Sequence, residues 1–282
     1  MELAVPKANS NVEILSKLTA FRSGTVDGIV FSDKAGGLGH FCEAEDIVQR
    51  NLVTESKQKL KETGNGIEVW NVLRTGDRCR SKLQSLVNEL QGHGSTGFLF
   101  VSGHDYRTSL LERAFRGEKC SKDCAFRKGE ESVLCGNLSS ELIREGGINV
   151  ETGRKKGLVL NRRYEENEPN VDFHITQACP PLVTEAWLET LHIDQLKSGA
   201  LYMTIIPALS FQGLERIKAL GSDIPLELLR KELDVKDPKR KGIKLAKESM
   251  QICARQSKLA GFYLYSHDTS VLVELASFAQ SL

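Results

Sequence analysis

Short apolar, β-rich runs alternate along the whole chain with longer segments of helical periodicity, the order expected of a parallel sheet with covering helices. The runs predict strands over Glu2–Val5, Gly28–Ser32, Ile67–Val72, Gly97–Ser102, Ser132–Asn137, Val171–Gln177, Leu201–Pro207 and Gly261–Ser266. Helical spacing predicts Glu43–Glu62, a helix capped by Asp77 and running to Leu90, and Thr184–Leu196 with Trp187, Leu188 and Leu191 on one face. Phe211–Leu220, Pro225–Leu233 and Lys239–Lys258 follow. Eight strands alternating with helices predict a closed (β/α)8 TIM barrel in a single domain over residues 1–282, with an open doubly wound sheet as the rival. The pattern fails from Arg116 to Arg154, rich in Gly, Lys, Glu and Ser, which reads as a long irregular loop insertion.

In such a barrel ligands are held at the carboxyl ends of the strands, so those residues form the candidate site. They are polar: Ser32-Asp33, Arg74-Thr75, Ser102-Gly103-His104-Asp105, Asn137, Thr176-Gln177 and Ser266-His267-Asp268, together with Glu2 near the start of the chain. The most informative stretch is Asn170 to Gln177, an apolar strand that delivers a threonine and a glutamine immediately before a helix. Ordinary roles compete at several positions. Asp77 and Asp268 read as helix caps, His104 and His267 as loop histidines, and Gly36, Gly37 and Gly39 as turn residues, because no GxGxxG or P-loop pattern surrounds them.

The chain has 282 residues, a formal net charge of +1 and 40% hydrophobic residues, which gives no reason to expect a nucleic-acid or membrane surface. Basic runs such as Arg162-Arg163 and Lys239-Arg240-Lys241 read as solvated faces. Without a signal-peptide pattern at its N-terminus the protein is expected to be cytoplasmic. The seven scattered cysteines read as reduced thiols, and Cys120, Cys124 and Cys135 lack the CxxC pair and histidine of a zinc site, so no metal is expected. No triad, zinc or kinase motif can be assembled.

Set side by side, the strand ends resemble those of the methylenetetrahydrofolate reductase family. Phe173-His-Ile-Thr-Gln177 is similar to that family's strand ending in Thr-Gln, Ile205-Ile-Pro-Ala208 to its Ile-Ile-Pro-Gly, and Ile224-Pro225 to the Ile-Pro that opens a later helix. Lys241-Gly-Ile-Lys-Leu-Ala246 and Gly261-Phe-Tyr-Leu-Tyr265 resemble its last helix and final strand. In the N-terminal half, Glu2-Leu-Ala-Val-Pro-Lys7 is similar to the family's Glu-Phe-Phe-Pro-Pro-Lys, and Gly28 to Ser32 resembles a strand that ends in a flavin-contacting threonine. About two thirds of the chain is covered, by short motifs whose order and spacing supply the specificity.

The resemblance implies a flavin-dependent barrel that reduces 5,10-methylenetetrahydrofolate to 5-methyltetrahydrofolate, with FAD as cofactor and NADH or NADPH as donor. It implies Glu2 as the acid that protonates the folate, and Gln177, Asp105 and Tyr265 as folate contacts. Ser32, Ser102, Gly103, His104 and Asn137 would line the flavin. Two departures bear on the chemistry. The family's Arg-Gly-Asp is here Ser102-Gly103-His104, leaving Asp105 as the nearby carboxylate, and its Tyr-Pro-Glu and histidine after the fifth strand give way to Asn137-Leu-Ser-Ser-Glu141. The alternative expectation is therefore a catalytically degenerate barrel that binds ligand or pairs with an active reductase. Homo-oligomerisation stays open in either case.

Overall fold

The computed structural model describes residues 2–4, 26–32, 53–58, 60–61, 66–74, 80–101, 148–160, 171–191, 193–196, 199–219, 224–266 and 268–282. Eight strands, β1 (Glu2–Ala4), β2 (Gly28–Ser32), β3 (Glu68–Arg74), β4 (Gly97–Val101), β5 (Lys155–Leu160), β6 (Phe173–Ala178), β7 (Ala200–Ile205) and β8 (Leu259–Leu264), form one sheet in chain order. Every neighbouring pair from β1 to β8 is parallel. The fold is a (β/α)8 TIM barrel. No helix among the described residues is long and apolar enough to cross a membrane.

Helices cover the outside, each through a stripe of apolar residues. In α1 (Arg80–Gly92) the buried residues Leu83, Leu86, Val87 and Leu90 recur at helical spacing. α2 (Thr184–Glu189) buries Trp187 and Leu188, and α3 (Phe211–Ala219) and α4 (Leu226–Leu233) share a smaller cluster with Leu214, Ile217, Leu229 and Leu233. α5 (Pro238–Cys253) starts with proline in its first turn, where no amide is needed, and the Asp237 side chain accepts from the Arg240 N–H. α6 (Thr269–Ala279) buries Val271, Leu272, Leu275 and Ala276.

The register fixes how the interior is layered. From Val30 the ladder leads through Trp70 to Gly97, two residues below Leu99. From Leu99 it leads through Gly157 to Phe173, two below Ile175, and from Ile175 through Tyr202 to Gly261, two below Tyr263. A climb of two residues at every second strand is the stagger of an eight-stranded barrel, with a total shear of about eight. Val30, Leu99, Ile175 and Tyr263 thus form one layer from the even-numbered strands, and all four belong to one interior cluster.

Beneath that layer the amino-terminal end is plugged by aromatic rings. Trp70 stacks on Phe173 with centroids 4.4 Å apart, and Tyr202 meets both edge-on at 6.1 and 6.2 Å. Facing strands make room by carrying glycine. A Cβ on Gly157 would lie 2.0 Å from the Phe173 ring, and one on Gly97 2.8 Å from the Trp70 ring.

The fifth strand corrects the expectation from sequence. The position between β4 and β6 is taken by Lys155–Leu160, so Asn137, itself outside the described residues, does not end the fifth strand. Two lysines and a glycine disguise this strand. Lys155 is accommodated at the amino end because its ammonium pairs with Glu68 at 3.0 Å and lies 5.5 Å from the Trp70 ring, while Gly157 is the space Phe173 occupies. The end of the expected loop insertion is also packed: Ile148 is buried in the outer core, and the Asn149 N–H donates to Gln84 Oε1.

Gly157→Ala is expected to destabilise the fold by about 1–3 kcal/mol, through overpacking against Phe173. Gly66→Ala, where nothing stands within 4 Å, serves as the control in urea unfolding. The two variants unfolding alike would show that the plug tolerates repacking.

Candidate functional site

The layer rule locates the mouth of the barrel. One even-strand layer above Val30, Leu99, Ile175 and Tyr263 come the positions of Ser32, Val101, Gln177 and Tyr265. Between these two layers lie the odd-strand positions Val72, Val159 and Thr204. From Glu2 the ladder runs through Val30 to Trp70, two below Val72, so β1 contributes Glu2 at that level. The backbone positions of Glu2 and Gln177 therefore occupy adjacent layers. The side chains of Glu2 and Ser32 lie outside the described residues, as do Ser102, Gly103, His104, Asp105, Asn137 and His267.

Gln177 is half-buried and sits in a break of the β6–β7 ladder. Ile175 pairs with Tyr202, but the next pair is Ala178 with Thr204, so Thr176 and Gln177 together oppose Met203. Such a bulge re-aims side chains and leaves ladder groups to be satisfied otherwise. Thr176 supplies the remedy: its hydroxyl oxygen accepts from the Thr204 N–H at 3.0 Å, and the Thr204 hydroxyl donates to the Thr176 carbonyl. Regular pairing resumes where the Cys179 N–H donates to the Thr204 carbonyl at 2.8 Å.

Tyr265 is 8% exposed, and its N–H donates to the Ile205 carbonyl, which holds the end of β8 against β7. Two exposed apolar side chains follow β6 and β7, Leu182 (45%) in the loop after β6 and Phe211 (46%) at the first position of α3. Leu182 has φ of 71°, left-handed backbone that a branched side chain rarely adopts and that is most often retained near functional sites. α5 closes on the loop after β7, where a Cβ on Gly242 would meet the Ala208 carbonyl oxygen at 2.0 Å.

Asp268 is a cap. Its Oδ1 accepts from the Ser270 and Val271 amides and the Ser270 hydroxyl, while Lys239 Nζ donates to Oδ2 at 2.6 Å. The Lys239 bond first, then Ser270, lowers its carboxyl to about 2. Among the described residues no cluster of His, Cys, Asp and Glu could hold a metal ion, and Cys120, Cys124 and Cys135 lie outside them.

Sequence reasoning picked out Gln177 and Tyr265 but not the Thr176–Thr204 pair, the apolar rim or the thiol pair Cys179–Cys253. The one signal for the first was a threonine in each of two neighbouring apolar strands.

No protein-family model matches the chain, and no curated protein matches it. Among solved structures, the chain is similar to a protein described as an uncharacterised protein from Clostridium thermocellum that binds two copies of 5-methyl-5,6,7,8-tetrahydrofolic acid. The TM-score is 0.56 at 15% identity, over 99% of this chain and 92% of that one, a likeness of fold. Two Coccidioides immitis proteins are more distant. One, named as a candidate deoxyribose-phosphate aldolase, has a TM-score of 0.36 at 11% identity over 79% and 77% of the two chains. The other, of the dihydrodipicolinate synthase family, has 0.34 at 10% over 97% and 90%.

Thr176→Val removes the acceptor for the Thr204 amide and is expected to cost about 1–3 kcal/mol, with faster hydrogen exchange at Thr204, while Thr176→Ser keeps both. Unchanged exchange in the valine variant would show that another group satisfies the amide. Asp268→Ala is expected to cost about 0.5–2 kcal/mol at neutral pH. Because the folded carboxyl is depressed, its contribution is present above the unfolded pKa of about 3.9 and is lost as pH falls through about 2. Unfolding curves of the two proteins should accordingly converge in strong acid.

Proposed function

We propose that this chain binds a reduced folate in the mouth above Tyr263, and that its reaction is the flavin-dependent reduction of 5,10-methylenetetrahydrofolate to 5-methyltetrahydrofolate. The observation that carries the folate reading is the like-folded Clostridium thermocellum protein, described as binding two copies of 5-methyltetrahydrofolate and aligned over 99% of this chain. The strand-end resemblance leads to the same ligand from the residues alone. A pterin edge alternates donors and acceptors, and the Gln177 amide offers one of each from a half-buried, bulge-fixed position. Tyr265 lies in the same layer, and the exposed Leu182 after β6 and Phe211 at the start of α3 add apolar surface beyond the strand ends, the mixture of apolar walls and few polar groups that ligand sites use.

The reductase part of the proposal assigns Glu2, one layer beneath Gln177, to protonate the folate. FAD, when bound, would supply the carrier between NADH or NADPH and the folate. The described residues fit the folate half of such a site. They do not make its flavin half, of which the backbone of Ser32 alone lies among them, and Asn137 loses its place at the end of the fifth strand. A second reading, a barrel that binds folate or pairs with an active relative without turnover, is favoured by Ser102-Gly103-His104 standing where the family has Arg-Gly-Asp.

Calorimetric titration with 5-methyltetrahydrofolate is expected to show binding, and Gln177→Ala to weaken it by about 5- to 150-fold, the cost of about 1–3 kcal/mol for an unmatched buried pterin group. Equal affinity would take Gln177 out of the site, and no binding by either protein would remove the folate reading. Yellow protein whose absorbance band is bleached by NADH or NADPH supports the reductase. Colourless protein that takes up no added FAD supports binding without turnover.

A further inference from the structure

Two residues beyond Gln177, the chain carries a thiol pair that the proposed function does not use. Cys179 follows β6 and Cys253 ends α5, 74 positions apart in sequence, yet their sulfurs are 3.8 Å apart. Both are free thiols, 3% and 0% exposed. Their surroundings differ from those of inert cysteines packed among hydrocarbon. The Thr184 hydroxyl lies 3.7 Å from Cys179 Sγ and 3.0 Å from the Ser249 hydroxyl, which in turn donates to the Leu245 carbonyl. The hydrogen bond between the two sulfurs holds Cys179 below the usual thiol range and, with burial, pushes Cys253 up. The two sulfurs are thus within reach of one another and differ in their polar surroundings, since only Cys179 also lies beside the Thr184 hydroxyl.

We propose that Cys179 and Cys253 are a reversible dithiol–disulfide site, closed by hydrogen peroxide, that couples redox state to the ligand mouth. The Cys179 thiolate attacks one peroxide oxygen, the O–O bond breaks, and the departing hydroxide takes a proton to leave as water with Cys179 as a sulfenic acid. The Cys253 sulfur then attacks the sulfenic sulfur, expelling a second water as the S–S bond forms. Two thiols are oxidised by two electrons, one peroxide is reduced to two waters, and a dithiol reductant reverses the step. Bonding requires the sulfurs to approach from 3.8 Å to about 2.05 Å. Whatever part of that movement Cys179 takes reaches Gln177, because the Cys179 N–H closes the bulge by donating to the Thr204 carbonyl.

The coupling rests on the folate reading; the disulfide does not. Fully reduced protein is treated with hydrogen peroxide under native conditions, blocked with N-ethylmaleimide and digested without reductant. The expected product is a peptide linked through Cys179 and Cys253, lighter by two hydrogens and released by dithiothreitol. In Cys253→Ser the sulfenic acid is expected to persist at Cys179, where dimedone captures it. Both cysteines recovered as unlinked thiols would overturn the site. Oxidised protein is expected to bind 5-methyltetrahydrofolate at least about threefold more weakly than reduced protein, and equal affinity would overturn the coupling. A linked peptide in protein that binds no folate in either state would leave the disulfide standing and remove the folate reading.

Discussion

The stack of Trp70 on Phe173 decides which end of this barrel is packed shut. Two large rings meeting face to face, with Tyr202 against their edges, fill the amino-terminal half of the interior. Such ring pairs contribute about 0.5–1.5 kcal/mol each beyond the area they bury. They fit only because β4 and β5 present Gly97 and Gly157, whose missing side chains are the space the rings take. With that end filled by hydrocarbon, and Glu68 and Lys155 paired beside it, the layer positions left clear of these rings are those at the carboxyl ends of the strands. Gln177 and Tyr265 stand there.

That constraint also sets the levels at which other residues appear. Because the strands are staggered by about one residue per step, a residue at the start of a short β1 rises to nearly the height reached only near the ends of β6 and β8. Glu2 and Gln177, 175 positions apart in number, are brought to adjacent layers by ladder geometry. A flat sheet with the same pairing would leave them at opposite ends of their strands.

Much of this was legible in the chain. β2 matches its apolar run residue for residue, and β4, β6, β7 and β8 differ from theirs by no more than two residues at either end, because alternating apolar residues on a pleated strand carry both the period and the limits. β5 was not legible. Its local signal is two lysines and a glycine before three apolar residues, and what makes it a strand is tertiary: Glu68 for Lys155, Phe173 over Gly157, and open ladders on β4 and β6. The helix expected over Thr184–Leu196 stops at Glu189 for a similar reason. Lys258, more than sixty residues away, donates to the carbonyls of Ile193, Asp194 and Leu196 and holds a separate short turn there. Gln177 could be found from its place at a strand end, whereas the bulge that presents it depends on the register of the neighbouring strand.

The end of β6 shows how the sheet gives up regularity to set one side chain. Between Ile175 and Cys179 the ladder to β7 is interrupted, and the Thr176 hydroxyl takes the place of a backbone acceptor for the Thr204 amide. Gln177 is thus held from both sides, by a hydroxyl on one and by the Cys179 amide on the other. Behind it, the Cys179, Thr184 and Ser249 side chains link the strand end to α5 through polar contacts inside an otherwise apolar core. Polar groups at that depth are tolerated when each finds a partner, and a chain of such partners admits few alternative arrangements. The backbone at Gln177 accordingly inherits its course from groups behind the strand end, and the apolar contacts of α5 decide how far those groups can move.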